Sequence, residues 1–337
     1  MMRRLRLVVL MTRPTVAWLL AVYAAIGLAT AGHAEDRWLL FRVLVVVLGF
    51  LMFSVACNDI ADERIDAVNL AGDRRRPLVV GAGGRTEMLV IGLAGAALAI
   101  GVAASLGWPV LVTLVVGLAL SAGYSVPPLR VADRGVFASL MLPACYVAVP
   151  FLVGHFAASS QLAGRDLLVL AGLYVTFIGR ILLKDFRDLR GDALFGKRTF
   201  LVRHGRRRTC ALSAVFMIAG AGILLVGLPH PSTVLVAGYA LGTVAMAVAL
   251  SVLSTDPGPR RDEAVIATIA IVGRGMLVLV FAHQQLVIAQ WPGWAYNAIL
   301  ATVAVVIALQ ARAMWSRGPV TRLTVPAVEV EDRIETI

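Results

Sequence analysis

Four carboxylates and a carboxamide stand together in NDIADERID, residues 58–66. Asn58, Asp62 and Asp66 recur at i, i+4 and i+8, so on a helix they run along one face, with Asp59 one position round. A second acidic group, LLKDFRDLRGD, spaces Asp185, Asp188 and Asp192 at i, i+3 and i+7. Like charges this close repel, and a divalent cation between the two stripes would remove the penalty. Mg²⁺ suits an all-oxygen set, because it takes octahedral oxygen coordination from one or two carboxylates, waters and substrate phosphates. Lys184, Arg187, Arg190, Lys197 and Arg198 flank the second group and would neutralise charge on a departing diphosphate. The competing reading is a pair of solvated loops, and Glu63, with Arg64 beside it, fits that reading. Two clusters that each begin beside an apolar run and each keep helical spacing favour the metal site.

Long apolar elements must position these groups. The chain has 337 residues, of which 59% are apolar. Its mean hydropathy is +0.85. A soluble domain has about 45–50% apolar residues, so the composition indicates a multi-pass membrane protein. Ten runs are candidates to cross a hydrocarbon layer of ~30 Å, near residues 14–31, 38–57, 88–106, 109–126, 136–154, 167–183, 210–228, 233–253, 264–286 and 294–313. Helices are required, because backbone in lipid must satisfy its own hydrogen bonds and the runs lack the alternation of barrel strands. The first run follows MMRRLR but never softens into a cleavage site, so it reads as a span and not as a signal peptide. Cys57, Cys145 and Cys210 show no pairing pattern and no zinc-ligand spacing.

The net charge of +11 is distributed by loop. Arg and Lys crowd residues 1–13, 58–87, 127–134, 184–208, 254–263 and the stretch after Ala311, while the intervening loops are poor in them. That alternation is the positive-inside pattern, which places both acidic loops on the cytoplasmic side and argues against nucleic acid as the partner. In a bacterium the membrane would be the plasma membrane. Residues 1–314 read as one transmembrane domain and 315–337 as a polar tail.

These residues resemble the UbiA superfamily of intramembrane prenyltransferases. The first signature of that family, roughly NDxxDxxxD, is complete from Asn58 to Asp66, and the second, DxxDxxxD, is met by Asp185, Asp188 and Asp192. RPTVAW at 13–18, RRPLVVG at 75–81, YSVPPLR at 124–130 and GKRT at 196–199 occur in the family's order. The resemblance implies an all-α bundle of about nine to ten transmembrane helices around a central cavity capped by the two Asp-rich loops. It implies Mg²⁺-dependent ionisation of an isoprenyl diphosphate to an allylic carbocation, which an aromatic or lipidic acceptor captures within the membrane lipid. By position, Asn58, Asp59, Asp62, Asp66, Asp185, Asp188 and Asp192 would hold metal, and Arg75, Arg76, Lys184, Arg187, Lys197 and Arg198 the diphosphate. Asp62 and Asp188 would drive ionisation, and Tyr124 would lie near the reacting carbon. An interfacial anchor is the other account of Tyr124.

Two further residues stand out. Arg274 lies midway along the ninth run, where a charge marks a cavity, a pairing or a pathway. Arg180 is close enough to the second acidic group to reach the diphosphate, or to snorkel. Two alternatives to transfer were weighed. A terpene cyclase keeps the same ionisation but needs no acceptor, and an ion-coupled transporter would use the acids as a cation site. Transporters hold their ions near the midplane in broken helices, whereas these acids lie at one surface.

Overall fold

The computed structural model describes residues 2–33, 35–69, 76–186 and 199–318. The chain is helical throughout these residues: α1 (Met2–Thr12), α2 (Pro14–Thr30), α3 (Arg37–Asn69), α4 (Arg85–Leu106), α5 (Trp108–Ser125), α6 (Val136–Pro143), α7 (Val149–Ala158), α8 (Gly164–Ile181), α9 (Phe200–Gly227), α10 (Thr233–Ser254), α11 (Pro259–Ile288) and α12 (Gly293–Arg317). A π-helical segment, Ala144–Ala148, joins α6 to α7 between Pro143 and Pro150, two residues that cannot donate to a regular helical ladder.

Every expected span falls on a helix, but fewer are long and apolar enough to cross unaided. Eight described segments meet that test, or nine if α1 and α2, bent by 52°, count as one span. Two physical features explain the difference from ten. α2 has 17 residues, and α8 carries Arg165, Asp166 and Arg180. The composition and the helices together make this an integral membrane protein. α12 continues to Arg317, three residues past the expected end of the domain, and Trp315 covers the Arg261 guanidinium at 4.1 Å. Residues 319–337, most of the expected tail, lie outside the described residues.

The helices form two packed halves that share a spine. One core gathers Val43, Phe50, Val55, Met88, Ala99 and Leu114 from α3, α4 and α5. The other gathers Leu173, Phe177, Met217, Leu235, Ile269 and Leu300 from α8 to α12. α2 serves both, because Leu20 and Ala24 face the first core while Leu19, Tyr23 and Ile26 face the second. α7 is divided in the same way, with Val149 and Val153 on one side and Phe151 on the other.

The spine is tight because it is built on glycine. A Cβ on Gly27 would lie 2.0 Å from the Phe151 carbonyl oxygen, and one on Gly154 would lie 2.0 Å from the Ala24 carbonyl oxygen. Small residues at a crossing let two backbones approach where lipid supplies no hydrophobic drive. A backbone carbonyl cannot move aside as a side chain can. Gly154→Val should therefore cost at least about 1–3 kcal/mol, seen as an earlier thermal unfolding midpoint of the detergent-solubilised protein; Gly101→Ala, where a Cβ meets nothing within 4 Å, should leave the midpoint in place.

Candidate active site

α3 creates the site by being longer than a membrane is thick. Its 33 residues extend about 50 Å at 1.5 Å each, against ~30 Å of hydrocarbon. The first twenty residues consume the apolar layer, and Asn58 begins the part that projects beyond it. The acidic motif is therefore on helix, as its spacing implied.

The motif does not present a single face. At 100° per residue, each four-residue step drifts by about 40°, so Asp66 lies about 80° from Asn58 and only about 20° from Asp59. The side chains divide accordingly. Asp59 is 3% exposed, and its Oδ1 accepts from Arg13 Nη2 and from Arg76 Nη1, the latter at 2.5 Å. Arg76 Nη1 also pairs with Asp66 Oδ2 at 3.0 Å. On the other side, Asn58 Nδ2 donates to Asp62 Oδ2 at 2.9 Å. Arg130 Nη2 donates to Asp62 Oδ1 at 2.9 Å, and its Nε donates to Asp133 Oδ2 at 2.6 Å. Glu63 departs from both groups and accepts from Arg85 Nε at 2.5 Å on the surface.

The structure thus parts the stripe expected of Asn58, Asp62 and Asp66: Asn58 and Asp62 stay together with Arg130, and Asp66 instead joins Asp59 on Arg76. It also brings in cations whose roles the sequence did not assign. Arg13 stood in RPTVAW and Arg130 closed YSVPPLR, so both were visible as motif members but not as partners of particular acids.

Asp62 meets Asp185 of the second motif across a narrow cleft with a free volume of about 50 Å³. Asp62, Tyr124, Ser139, Lys184, Asp185 and Thr199 supply its polar wall, and Leu142 and Ile181 its apolar one. Tyr124, Lys184, Asp185 and Thr199 reach it at helix ends. α5 stops at Ser125 before Pro127 and Pro128, leaving Tyr124 in its last turn and within the cleft, not at a lipid-facing rim. α8 stops at Ile181, and a turn in which Lys184 N donates to Ile181 O at 3.0 Å carries Lys184 and Asp185 to the rim. Thr199 starts α9, accepting from Val202 N as its N-cap. Arg75, Arg187, Asp188, Arg190, Asp192, Lys197 and Arg198 lie outside the described residues.

The cleft's donor set is compatible with a hard cation. Its acidic donors, Asp62 and Asp185, come from different helices and offer only oxygen, joined by the carboxamide of Asn58 through its bond to Asp62. Among the described residues no three His, Cys, Asp or Glu side chains converge into a closed cage. Mg²⁺ is commonly held by one or two carboxylates with a phosphate substrate completing the shell, so two carboxylates suffice.

A second, apolar pocket with a free volume of only about 30 Å³ lies between α2, α8, α9, α10 and α11. Tyr23, Phe177, Met217, Tyr239 and Met276 line it, and Arg180 is its charged member. Phe177 packs edge-on to Tyr23 at 6.3 Å and stacks on Tyr146 at 6.0 Å, while Arg180 Cζ lies 5.8 Å from the Phe177 ring. Arg180 and its neighbour Ile181 line one cavity each, so the end of α8 separates the polar cleft from the apolar chamber. Arg274 lies apart from both, in a lateral groove of about 610 Å³ between α2, α11 and α12.

The pattern of the UbiA prenyltransferase family matches residues 17–271, which hold both acidic motifs and both cavities. The chain belongs to the UbiA prenyltransferase family. Its relatives include the bacteriochlorophyll synthase 33 kDa chain of Cereibacter sphaeroides, 27% identical over 260 residues, 74% of this chain and 83% of that one. Digeranylgeranylglyceryl phosphate synthase of Halobacterium salinarum is 36% identical over 135 residues, which is 37% of this chain and 47% of the relative. The chain therefore matches about half the length of that second protein. A solved structure from work on digeranylgeranylglyceryl phosphate synthase shares the fold with a TM-score of 0.64 at 17% identity, covering 82% of this chain and 97% of that one. A UbiA homologue from Archaeoglobus fulgidus, solved bound to GPP and Mg²⁺, shares it with a TM-score of 0.55 at 16% identity, covering 92% and 99%.

Within this UbiA fold the two acid pairs have different electrostatic duties. Asp59 compensates two guanidinium groups in a nearly dry place, whereas Asp62 faces the cleft. Asp59→Ala should cost about 3–5 kcal/mol, because it leaves Arg13 and Arg76 side by side without their shared carboxylate. Asp62→Ala should cost much less. Thermal unfolding of the two variants in the same detergent checks the order.

Proposed function

We propose that the protein transfers an isoprenyl group from an isoprenyl diphosphate to an aromatic or lipidic acceptor, with Mg²⁺ holding the diphosphate at the cleft. The observation that carries the reading is the meeting of Asp62 and Asp185, one from each motif, with Lys184 and Tyr124 around one opening. The apolar side chains beyond α8 have the chemistry a prenyl tail needs, and the pocket of about 30 Å³ that they surround would have to widen to admit one. The family's relatives, named as synthases, and the homologue bound to GPP and Mg²⁺ support the same chemistry.

When bound, the metal supplies Lewis-acid neutralisation of the leaving diphosphate. The chain's own residues do the rest. Asp62 and Asp185 would hold the cation at the cleft, and Asp188 and Asp192 of the second motif are the further acids proposed to serve it. Lys184, with Arg187, Lys197 and Arg198, offsets charge on the diphosphate as the allylic carbon–oxygen bond breaks and the electron pair leaves with oxygen, whereas Arg76 is engaged by Asp59 and Asp66. Tyr124 borders the carbon end with its aromatic face, and the apolar walls keep water from the carbocation. The acceptor's electron pair then forms the new bond and the acceptor loses a proton. The basic loops support a cytoplasmic location for this end of the bundle.

Purified protein given geranyl, farnesyl or geranylgeranyl diphosphate with Mg²⁺, with and without a cell extract as acceptor source, should release diphosphate and form a prenylated product only with extract. EDTA should abolish release, and Asp62→Asn or Asp188→Asn should slow it by at least about 100-fold. Release retained in either variant would overturn this assignment. A cyclic hydrocarbon or alcohol formed without extract would reassign the protein as a cyclase on the same site.

A further inference from the structure

Arg206 is the most heavily engaged guanidinium at the motif end of the second half, yet it touches neither cavity. α9 breaks at Gly205, whose φ of 74° and ψ of 173° lie in a region that a side chain disfavours. The break turns Arg206 toward three elements at once. Its Nη2 donates to Asp262 Oδ1 in the first turn of α11 at 2.6 Å and to the Leu253 carbonyl at the end of α10 at 2.8 Å. Its Nε donates to the same carbonyl at 3.2 Å, and Nη1 pairs with the exposed Asp256 at 3.3 Å. With its edges engaged in this way, the flat face of the guanidinium covers Phe186, Cζ lying 4.9 Å from the ring centroid.

Phe186 follows Asp185 directly, so what holds the ring also sets where the carboxylate points. We infer that Arg206 is a positioning residue: anchored by α10 and α11, it clamps Phe186 and so holds Asp185 toward Asp62 across the cleft. The inference rests on the reading of Asp185 as a metal-holding carboxylate. Its physical basis is that Asp185 and Phe186 are helical again after the Leu182–Lys184 turn, so fixing Phe186 fixes the direction of the turn that presents Asp185, and supporting groups of this kind tune metal affinity. Arginine suits the task because one planar group can hydrogen-bond at its edge and stack on its face together.

The test is Mn²⁺ binding by the full chain in detergent, with free Mn²⁺ read by electron paramagnetic resonance. Phe186→Leu and Arg206→Lys should each weaken binding about 10-fold. Phe186→Tyr, which keeps the ring face, should bind as the wild type does. Wild-type affinity in Phe186→Leu and Arg206→Lys, with only an earlier unfolding midpoint, would show that Arg206 is a strut between helices and overturn the inference. A wild-type protein that binds Mn²⁺ no better than the Asp62→Asn, Asp185→Asn double variant would instead overturn the metal site itself, and the clamp with it.

Discussion

A carboxylate at the edge of hydrocarbon must be neutralised or hydrated, and the architecture of this protein follows from how that demand is met where α3 leaves the apolar layer. Asp59 is almost fully buried and is closed upon by Arg13 and Arg76. That contact ties the start of α2 and the strand of chain leading to α4 onto the end of α3. One charge cluster therefore sets the level at which three parts of the chain stop. It also releases Asp62, three residues further on, to face the cleft under a lighter hold from Asn58 and Arg130.

Below that level the two apolar halves are nearly self-sufficient, each with its own core, and each carries one acidic motif. α2 and α7 join them along a glycine crossing close enough for backbone to touch backbone. The cleft lies at the motif end of this seam, so its two carboxylates are held by separate bodies of packed helix. Such a site stays precise only if the join is rigid. Glycines with no room for a methyl group hold the join close, while Arg206 ties α10, α11 and Phe186 together within the second half.

Much of this could be read from the residues. The apolar runs located every span, the NDIADERID spacing placed the acids on a helix that continues past the membrane, and the two prolines after Ser125 marked the end of α5. The family's motifs carried the resemblance that the comparisons then bore out. The number of self-sufficient spans was harder to read, since α2 is short and α8 carries three charges. The single-face reading of Asn58, Asp62 and Asp66 neglected helical drift, which over eight residues turns the last acid almost into line with Asp59.

The sequence by itself determined that the chain is helical and lies in a membrane, because backbone in lipid has no other way to satisfy its hydrogen bonds. It also placed the carboxylates at the membrane boundary and not at its midplane, because all twenty acidic residues avoid the span interiors. Only the tertiary structure decided which acid meets which cation. Arg13 is 46 residues from Asp59, and Arg130 is 68 residues from Asp62. No local period links such pairs, and they arise only when packed helices bring their ends together. Whether a carboxylate becomes a structural counter-ion or a group facing the cleft is settled at that moment, by which guanidinium reaches it and how much water remains.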